Sequence, residues 1–102
     1  FYYLSRMNTH FNIEFLEDST EKLKAIAHPI RFVIVDLLHR EKELSVTDIH
    51  EKLQIEQAVA SHHLRILKNQ EIVKVSRDGK NSFYSLANPA YYDIVHCLLP
   101  SN

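Results

Sequence analysis

The sequence predicts a mainly α-helical domain that carries one small β-hairpin. Its 102 residues suffice for a single domain, and 45% hydrophobic with 25% charged residues is an ordinary globular composition. Apolar residues recur at helical spacing in most of the chain, whereas two short segments near residue 80 are typical of strands. Glycine occurs once, at Gly79, and β-rich domains need more glycine for their tight turns.

The first two predicted helices meet at a proline. Asp18-Ser19-Thr20-Glu21 resembles a capping box, so we expect the first helix to begin with Asp18 or Ser19 as its N-cap. His28-Pro29 ends that helix, because the residue before a proline is driven out of the α region, and Pro29 suits the first position of the next helix. That second helix, about residues 29–40, is apolar on nearly all sides, which predicts a central core position.

The next two helices form a helix-turn-helix pattern. Ser45 is the predicted N-cap of a short helix at Val46–Leu53, and a brief break at 54–56 leads into a longer helix at Gln57–Asn69. A short helix, a turn of three or four residues and a longer helix are the parts of a helix-turn-helix.

A hairpin and a last helix complete the domain. Residues 72–76 and 82–86 are the predicted strands, joined by 77–81, where Asp-Gly is a strong hairpin signal; an amphipathic helix follows at 90–99. A helix-turn-helix followed by a hairpin predicts a winged helix-turn-helix of order α-α-α-α-β-β-α, here expected to be dimeric. The predicted organisation is an N-terminal extension at 1–17, partly flexible or a dimer arm, the domain at 18–99 and a tail at 100–102.

The charge distribution directs attention to one part of the chain. The net charge is −1, but residues 1–60 carry −3 and residues 61–102 carry +2, and all five bases of the second part lie between 65 and 80. The single glycine excludes glycine-rich phosphate loops, and no nucleophile with a matched base is recognisable, so we do not expect an enzyme.

These bases fall on the elements of a winged helix that contact DNA. The second helix of a helix-turn-helix fits the major groove, while the hairpin reaches phosphates or the neighbouring minor groove. We expect Gln57 to read adenine, Ser61 to reach a base edge or a phosphate, and His62 to donate in the groove. Arg65 and Lys68, toward the end of the helix, suit phosphates, and the bases of the wing suit phosphates or the minor groove. The predicted DNA contacts are Gln57, Ala58, Ser61, His62, Arg65, Lys68, Lys74, Arg77 and Lys80.

Four segments resemble the ArsR/SmtB family of bacterial winged-helix repressors. They are residues 23–31, 43–49, 60–67, which contain Ser61-His62-His63-Leu64, and 83–86, and the resemblance spans about 20–88. The resemblance implies a homodimer, joined through its first and last helices and bound to double-stranded DNA at a palindromic operator. On those helices the candidate interface residues are Leu23, Tyr91, Ile94, Val95 and Leu98.

The chain departs from the family at its metal sites. The family's metal box has cysteines where this chain has Ser45 and Thr47, and hydroxyl groups are poor ligands for soft metals. The family's other site uses Asp and His pairs on the last helix, of which only Asp93 and His96 are present. We therefore predict no cofactor and no metal site, with Asp93 and His96 as the remaining candidates. Glu56 stands where the family often has a Ser or Thr cap.

Two alternative functions stay open. In the first, a sensor repressor releases DNA when Asp93 and His96 of two subunits bind a metal, or when Cys97 is oxidised; an unidentified small effector is a related possibility. In the second, the domain has lost DNA binding and recognises a protein, an alternative supported only by Glu56 and the negative net charge.

The remaining expectations concern single residues and location. A lone cysteine on an apolar helix, such as Cys97, is expected to be a small buried hydrophobe. His63 is expected to pack against the hairpin or the second helix, and His28 to be a cap or a surface group. One cysteine favours a reducing compartment, and no apolar run is long enough for a membrane span, so we expect a cytoplasmic protein without a membrane partner.

Overall fold

A computed structural model of the protein describes residues 6–100. The predicted order of helices and hairpin is confirmed. The elements are α1 (Ile13–Ile26), α2 (Pro29–Glu41), β1 (Leu44–Ser45), α3 (Val46–Leu53), α4 (Gln57–Asn69), β2 (Val73–Asp78), β3 (Asn81–Leu86) and α5 (Ala90–Leu98). None of the helices in this part of the chain is both long and apolar enough to cross a membrane.

Helix α1 begins earlier than predicted. Its N-cap is Asn12, whose side-chain oxygen accepts hydrogen bonds from the backbone N–H of Glu14 at 2.9 Å and of Phe15 at 3.3 Å. The predicted N-cap at Asp18 or Ser19 is therefore wrong: both residues lie inside the helix, where Asp18 pairs with Lys22 one turn later. The predicted boundary between 17 and 18 thus falls within α1. Residues 1–5 of the predicted extension and 101–102 of the tail lie outside the described residues.

The junction of α1 and α2 follows the prediction. Helix α1 ends at Ile26, and His28 is the N-cap of α2, its ring Nδ1 accepting the backbone N–H of Ile30 at 3.1 Å. Pro29 occupies the first helical position, where a missing N–H removes no intrahelical hydrogen bond. The sharp change of direction brings the end of α1 against the start of α2.

Helix α2 lies in the middle of the core, as its sequence predicts. Its Ile34 and Val35 are fully buried, and they pack with apolar residues from all the other helices and from the strands. The largest fully buried side chains are Ile26, Ile34, Val35, Leu38, Ile49, Leu64, Leu67, Ile72 and Val95. The core therefore holds the helix-turn-helix and the hairpin to one scaffold.

A third strand was missed by the sequence prediction. Leu44 and Ser45 form β1, which pairs antiparallel with β3 through Leu44↔Tyr84 and Ser45↔Phe83, so that the sheet order is β1-β3-β2. The sequence predicted a polar connection there, since two residues are too few to show the alternation of a strand. Only the pairing with a distant strand, together with burial of the Leu44 side chain, defines β1.

The hairpin is longer and its loop tighter than predicted. Strands β2 and β3 pair from Val73↔Leu86 as far as Asp78↔Asn81, which leaves Gly79 and Lys80 as a two-residue loop. Gly79 has φ of +63°, in the region that favours glycine, and Lys80 is not among the residues with positive φ. The glycine is thus the first of the two loop residues.

Candidate nucleic-acid interface

The turn between α3 and α4 sets the direction of α4. Ser45 caps α3 as predicted, with its Oγ accepting the backbone N–H of Asp48 at 3.1 Å. The C-cap residue of α3, Gln54, has the left-handed conformation, with φ of 55°. The N–H of the next residue, Ile55, donates to the carbonyl of His50 at 3.1 Å. This backbone-closed turn orients α4 across α3, as in a helix-turn-helix.

Helix α4 has one face in the core and one in solvent. Its buried residues are Ala60, His63, Leu64 and Leu67. The outer face carries the residues that the sequence analysis assigned to DNA: Gln57, Ala58, His62, Arg65 and Lys68 are exposed, and Ser61 is half-buried. These six side chains line one side of α4, where a partner can reach them.

The wing extends the same positive character. Lys74 and Arg77 on β2 are exposed, and so is Lys80 in the two-residue loop. Because side chains alternate along a strand, Val73 and Val75 lie on the side opposite Lys74 and contribute to packing, while Arg77 follows them on their side toward the exposed end of the hairpin. The hairpin therefore presents basic groups along its length and at its tip.

The basic residues of α4 and the wing form no ion pair in the described part of the chain. Within residues 6–100 the ion pairs join Lys22 to Asp18, Lys24 to Glu21, Arg40 to Asp36 and Lys52 to Glu41. All of these residues precede α4. The five bases between 65 and 80 therefore keep their charged groups outside ion pairs among these residues, although Asp78 directly follows Arg77.

The N-terminus of α4 is weakly capped. Glu56 occupies the N-cap position with extended backbone, and its side chain accepts no cap hydrogen bond. The residue is exposed and directly precedes Gln57, so its carboxylate lies at the N-terminal end of α4. Its charge favours the helix dipole but opposes a phosphate at that end.

The two adjacent histidines of α4 have opposite surroundings. His62 is exposed, whereas His63 is only 7% exposed and its ring lies 4.4 Å from that of His28, centroid to centroid. The prediction that His63 packs inward is thus confirmed, with the start of α2 as its neighbour. Burial, reinforced by the nearby His28, Arg31 and His62, lowers the pKa of His63 below the ordinary value of 6.5.

The predicted dimer residues differ in their exposure. Leu23 on α1 is 51% exposed and Leu98 on α5 is 64% exposed, while Tyr91 and Ile94 are half-buried. Val95 is 1% exposed and packs in the core of its own subunit. The prediction that it lies in the dimer interface is therefore wrong. It faces inward because α5 turns one side toward α2.

Further exposed apolar side chains were not assigned by sequence. Phe15 on α1 is 73% exposed, and Leu99, just after α5, is 46% exposed. Phe15 was missed because the sequence prediction placed it in an extension rather than in the first turn of α1. The sequence did contain a signal for it: Phe15 lies eight residues, about two helical turns, before Leu23, so the two side chains share one face of a helix.

The candidate metal and redox residues lie on the outside of α5. Asp93, His96 and Cys97 are all exposed, and the Tyr92 ring stacks on His39, with centroids 3.6 Å apart, beside His96. Residues 6–100 contain no group of three or more His, Cys, Asp or Glu side chains arranged to hold a metal ion. The expectation that Cys97 is buried is wrong, because it lies on the solvent side of α5, where its Sγ donates to the carbonyl of Ile94 at 3.1 Å.

Known proteins resemble this chain in both sequence and fold. The helix-turn-helix domain family matches residues 26–76. The transcriptional repressor PagR of Bacillus anthracis is 39% identical over 85 residues, which make up 83% of this chain and 85% of PagR. A transcriptional repressor SmtB homolog of Synechocystis is 38% identical over 72 residues, or 71% of this chain and 54% of that protein.

The solved structures agree. The crystal structure of PagR matches with a TM-score of 0.79 and 36% identity, covering 86% of this chain and all of that one. NolR from Sinorhizobium fredii matches with a TM-score of 0.77 and 29% identity, covering 91% of this chain and 92% of the other. Together with the helix-turn-helix, the basic wing and the family match over half of the chain, these likenesses show that the protein belongs to the ArsR/SmtB family of winged helix-turn-helix transcriptional regulators.

Proposed function

We propose that the protein is a dimeric repressor that binds a palindromic operator, with α4 in the major groove and the wing on the flanking DNA. The name of PagR, a transcriptional repressor, supports repression as the outcome of binding. A regulator of this kind acts where the DNA is, so we also propose a cytoplasmic location. The proposed activity is binding and involves no catalysis.

The observation that carries the proposal is the row of unpaired bases. Arg65 and Lys68 on α4 and the three bases of the wing form no ion pair within residues 6–100, although the chain as a whole is acidic. Leaving such charges outside ion pairs suits a surface that meets phosphates, because each neutralised phosphate releases counterions into solution. The acidic remainder of the protein directs DNA to this one side.

The residues of α4 divide into two proposed roles. Gln57, Ser61 and His62 lie on the first two turns and face base edges, where an amide can form two hydrogen bonds with adenine. Ala58 lies among them and permits a close approach or contacts a thymine methyl group. Arg65 and Lys68, farther along the helix, contact phosphates, as do Lys74, Arg77 and Lys80 in the wing.

The proposed dimer uses the exposed apolar side chains of α1 and α5. Leu23, Leu98 and Phe15 are each more than half exposed in the single subunit. Burying them against a second copy removes apolar surface from water, at about 25 cal/mol per Å². A solved relative of the same fold, Mb0332 from Mycobacterium bovis, is described as homodimeric, which agrees with this proposal.

The test is selection of bound duplexes from random DNA, followed by affinity measurements at several salt concentrations. We expect a palindromic consensus and a loss of affinity of about 10³-fold or more between 50 and 200 mM salt, for six or more phosphate contacts. Arg65→Ala combined with Arg77→Ala should weaken binding and reduce the salt dependence. Arg40→Ala is the matched control, because Arg40 is an exposed arginine on α2 that pairs with Asp36.

Three results would contradict the proposal. One is a flat salt response, and another is unchanged affinity of the double variant. The third is recovery of no sequence preference from the random pool, which would favour a protein-recognition domain that has kept the fold.

A further inference from the structure

The inner face of the recognition helix α4 carries one polar side chain. His63 is the buried polar residue of the described chain, 7% exposed, and it lies on α4 next to the fully buried Ala60 and Leu64. Its ring contacts the ring of His28, the N-cap of α2. The helix proposed to enter the DNA groove is therefore packed against the remainder of the protein partly through a titratable side chain.

Positive or protonatable groups surround His63. From α2 and its N-cap, Arg31 and His28 face it, and from its own helix His62 lies 5.0 Å away, ring to ring. From α1, Glu21 and Lys24 lie beside Arg31 and pair with each other at 3.3 Å. Within residues 6–100, neither His63 nor Arg31 has a carboxylate at ion-pair distance. A proton on His63 would thus meet no counter-charge.

Two buried nitrogen atoms in this cluster have no hydrogen-bond partner among the described residues. They are Nδ1 of His63 and Nε of Arg31, although Nη1 of Arg31 donates to the carbonyl of Ala25 at 2.8 Å. An uncharged imidazole can leave a ring nitrogen unpaired at modest free energy, whereas a buried imidazolium with an unpaired N–H is much more costly. The packing therefore suits the neutral ring.

His28 holds its N-cap hydrogen bond through a ring lone pair. Its Nδ1 accepts the backbone N–H of Ile30, which fixes the ring at the start of α2. The rings of His28 and His63 lie with their centroids 4.4 Å apart and their planes tilted by 41°. His63 thus packs against a ring whose position is set by the N-terminus of α2.

We propose that neutral His63 is a positioning residue for the recognition helix, and that protonation of His63 loosens α4 from α2 and weakens operator binding in acid. The inference rests on the proposed function, since the operator contacts of α4 are what it modulates. His63 itself touches no DNA in this proposal. It acts through the docking of the helix that carries the contacts.

The neighbouring histidine has a different proposed role. His62 is exposed on the DNA side of α4 and faces base edges, so it acts on the operator directly and not through the docking of α4. Most DNA-binding proteins gain positive charge as the pH falls. A loss of affinity in acid is therefore a distinctive sign of His63 protonation.

The experiment measures affinity for the selected operator between pH 7.5 and 5.5 at constant ionic strength. We expect the wild-type affinity to fall by roughly a factor of three or more on acidification, and His63→Gln to remove most of that fall, since glutamine does not titrate. His28→Asn retains an N-cap acceptor but removes the ring packed against His63, so it should weaken operator binding at pH 7.5. His62→Gln should weaken binding at pH 7.5 but keep the fall, since His63 is unchanged. His10→Gln, at an exposed position before α1, is the control.

A second measurement separates this inference from the proposed function. In the protein without DNA, histidine ring signals and backbone amide signals are followed by NMR over the same pH range. The amides of Ala58 and Ser61 should shift with the titration of His63 and lose that dependence in His63→Gln. The inference is overturned if those amides ignore His63, or if wild type and His63→Gln show the same pH profile of affinity. Absence of operator binding at pH 7.5 overturns the proposed function, and the NMR result then decides the coupling alone.

Discussion

The ammonium group of Lys22 on α1 donates a hydrogen bond of 2.7 Å to the carbonyl of Gln70, the C-cap residue of α4. The contact joins residues 48 positions apart and places a cation at the negative end of the recognition helix. Lys22 also lies 3.8 Å from Asp18 on its own helix, and its side chain is 23% exposed. The helix proposed for the dimer contact is thereby tied directly to the helix proposed for DNA.

Replacing Lys22 should therefore destabilise the protein. Lys22→Met keeps the aliphatic part of the side chain but removes the charged donor, and we expect a loss of about 1–2 kcal/mol in the free energy of unfolding. Lys24→Met is the matched control, because Lys24 is 74% exposed and pairs on the surface with Glu21, so the expected loss is about 0.5 kcal/mol or less. Urea unfolding measures both. Equal effects of the two substitutions would contradict the importance of the bond to Gln70.

Replacing Glu56 should raise both the stability of the protein and its affinity for the operator. Glu56→Ser supplies a hydroxyl that can accept a backbone N–H at the start of α4, and we expect a gain of about 0.5–1 kcal/mol in stability. The substitution also removes a negative charge from the proposed DNA side, so operator affinity should rise. Glu43→Ser removes the same charge at an exposed position before β1 and is the control. Operator affinity no higher than that of Glu43→Ser would exclude an influence of the Glu56 carboxylate on DNA.

The single glycine can be tested at the wing. A Cβ added to Gly79 meets nothing within 4 Å, so Gly79→Ala introduces no clash and its effect reports the positive φ alone. We expect a loss of about 1 kcal/mol, and a smaller loss for Gly79→Asn, since asparagine tolerates the left-handed region better. Thermal unfolding gives the comparison. If alanine is tolerated as well as asparagine, the loop does not hold the backbone in this conformation.

The stability of the protein should depend on the charge of His63. Burial, with the charges of His28, Arg31 and His62, lowers the pKa of His63, so the unfolded chain binds the proton more readily than the folded protein. The free energy of unfolding should therefore fall as the pH decreases from the ordinary histidine value of 6.5 toward the lowered folded-state value. Urea midpoints at pH 7.5 and 5.5 measure this fall. His63→Gln should show a smaller one, and an equal slope in the variant would assign the pH dependence to other groups.

The proposed dimer can be tested on α5. Leu98→Glu introduces a charge at a side chain that is 64% exposed in the subunit, so the fold should persist while the dimer dissociates. Sedimentation of the variant should give the mass of one chain, and operator affinity should fall because two half-sites are no longer bound together. Thr47→Glu, at an exposed polar position on α3 and away from α1 and α5, is the control for the sedimentation measurement. A dimeric Leu98→Glu protein would exclude Leu98 from the interface.

Much of the fold was predictable because its signals are local. Ser45 before an amphipathic segment, Pro29 after His28 and the lone Gly79 each mark an element boundary through the chemistry of one or two residues. The boundaries of α3 and α4 are the predicted ones for the same reason. The start of α1 was not predicted, since the Asp18–Glu21 pattern also fits a helix interior and Asn12 gave no stronger signal.

The residues of the candidate site could be predicted from the sequence, but the long-range contacts that hold them in place could not. The exposed residues of α4 follow from helical periodicity, because the apolar positions fix which side is buried. Val95 and Cys97 were misassigned, because periodicity on α5 cannot tell the subunit core from an exposed apolar surface. The contact between the rings of His28 and His63 and the hydrogen bond from Lys22 to Gln70 join distant parts of the chain, so no local sequence pattern predicts them.

The sequence by itself determined the order of the elements, the helix-turn-helix and the position of the basic cluster, because caps, prolines and apolar spacing act over a few residues. Only the tertiary structure decided that β1 joins the wing, that the bases of α4 and the wing form no ion pair within residues 6–100, and that His63 lies buried beside His28 and Arg31. The physical reason is distance along the chain. Strand pairing, charge compensation and burial depend on residues that are far apart in sequence and meet only when the core forms.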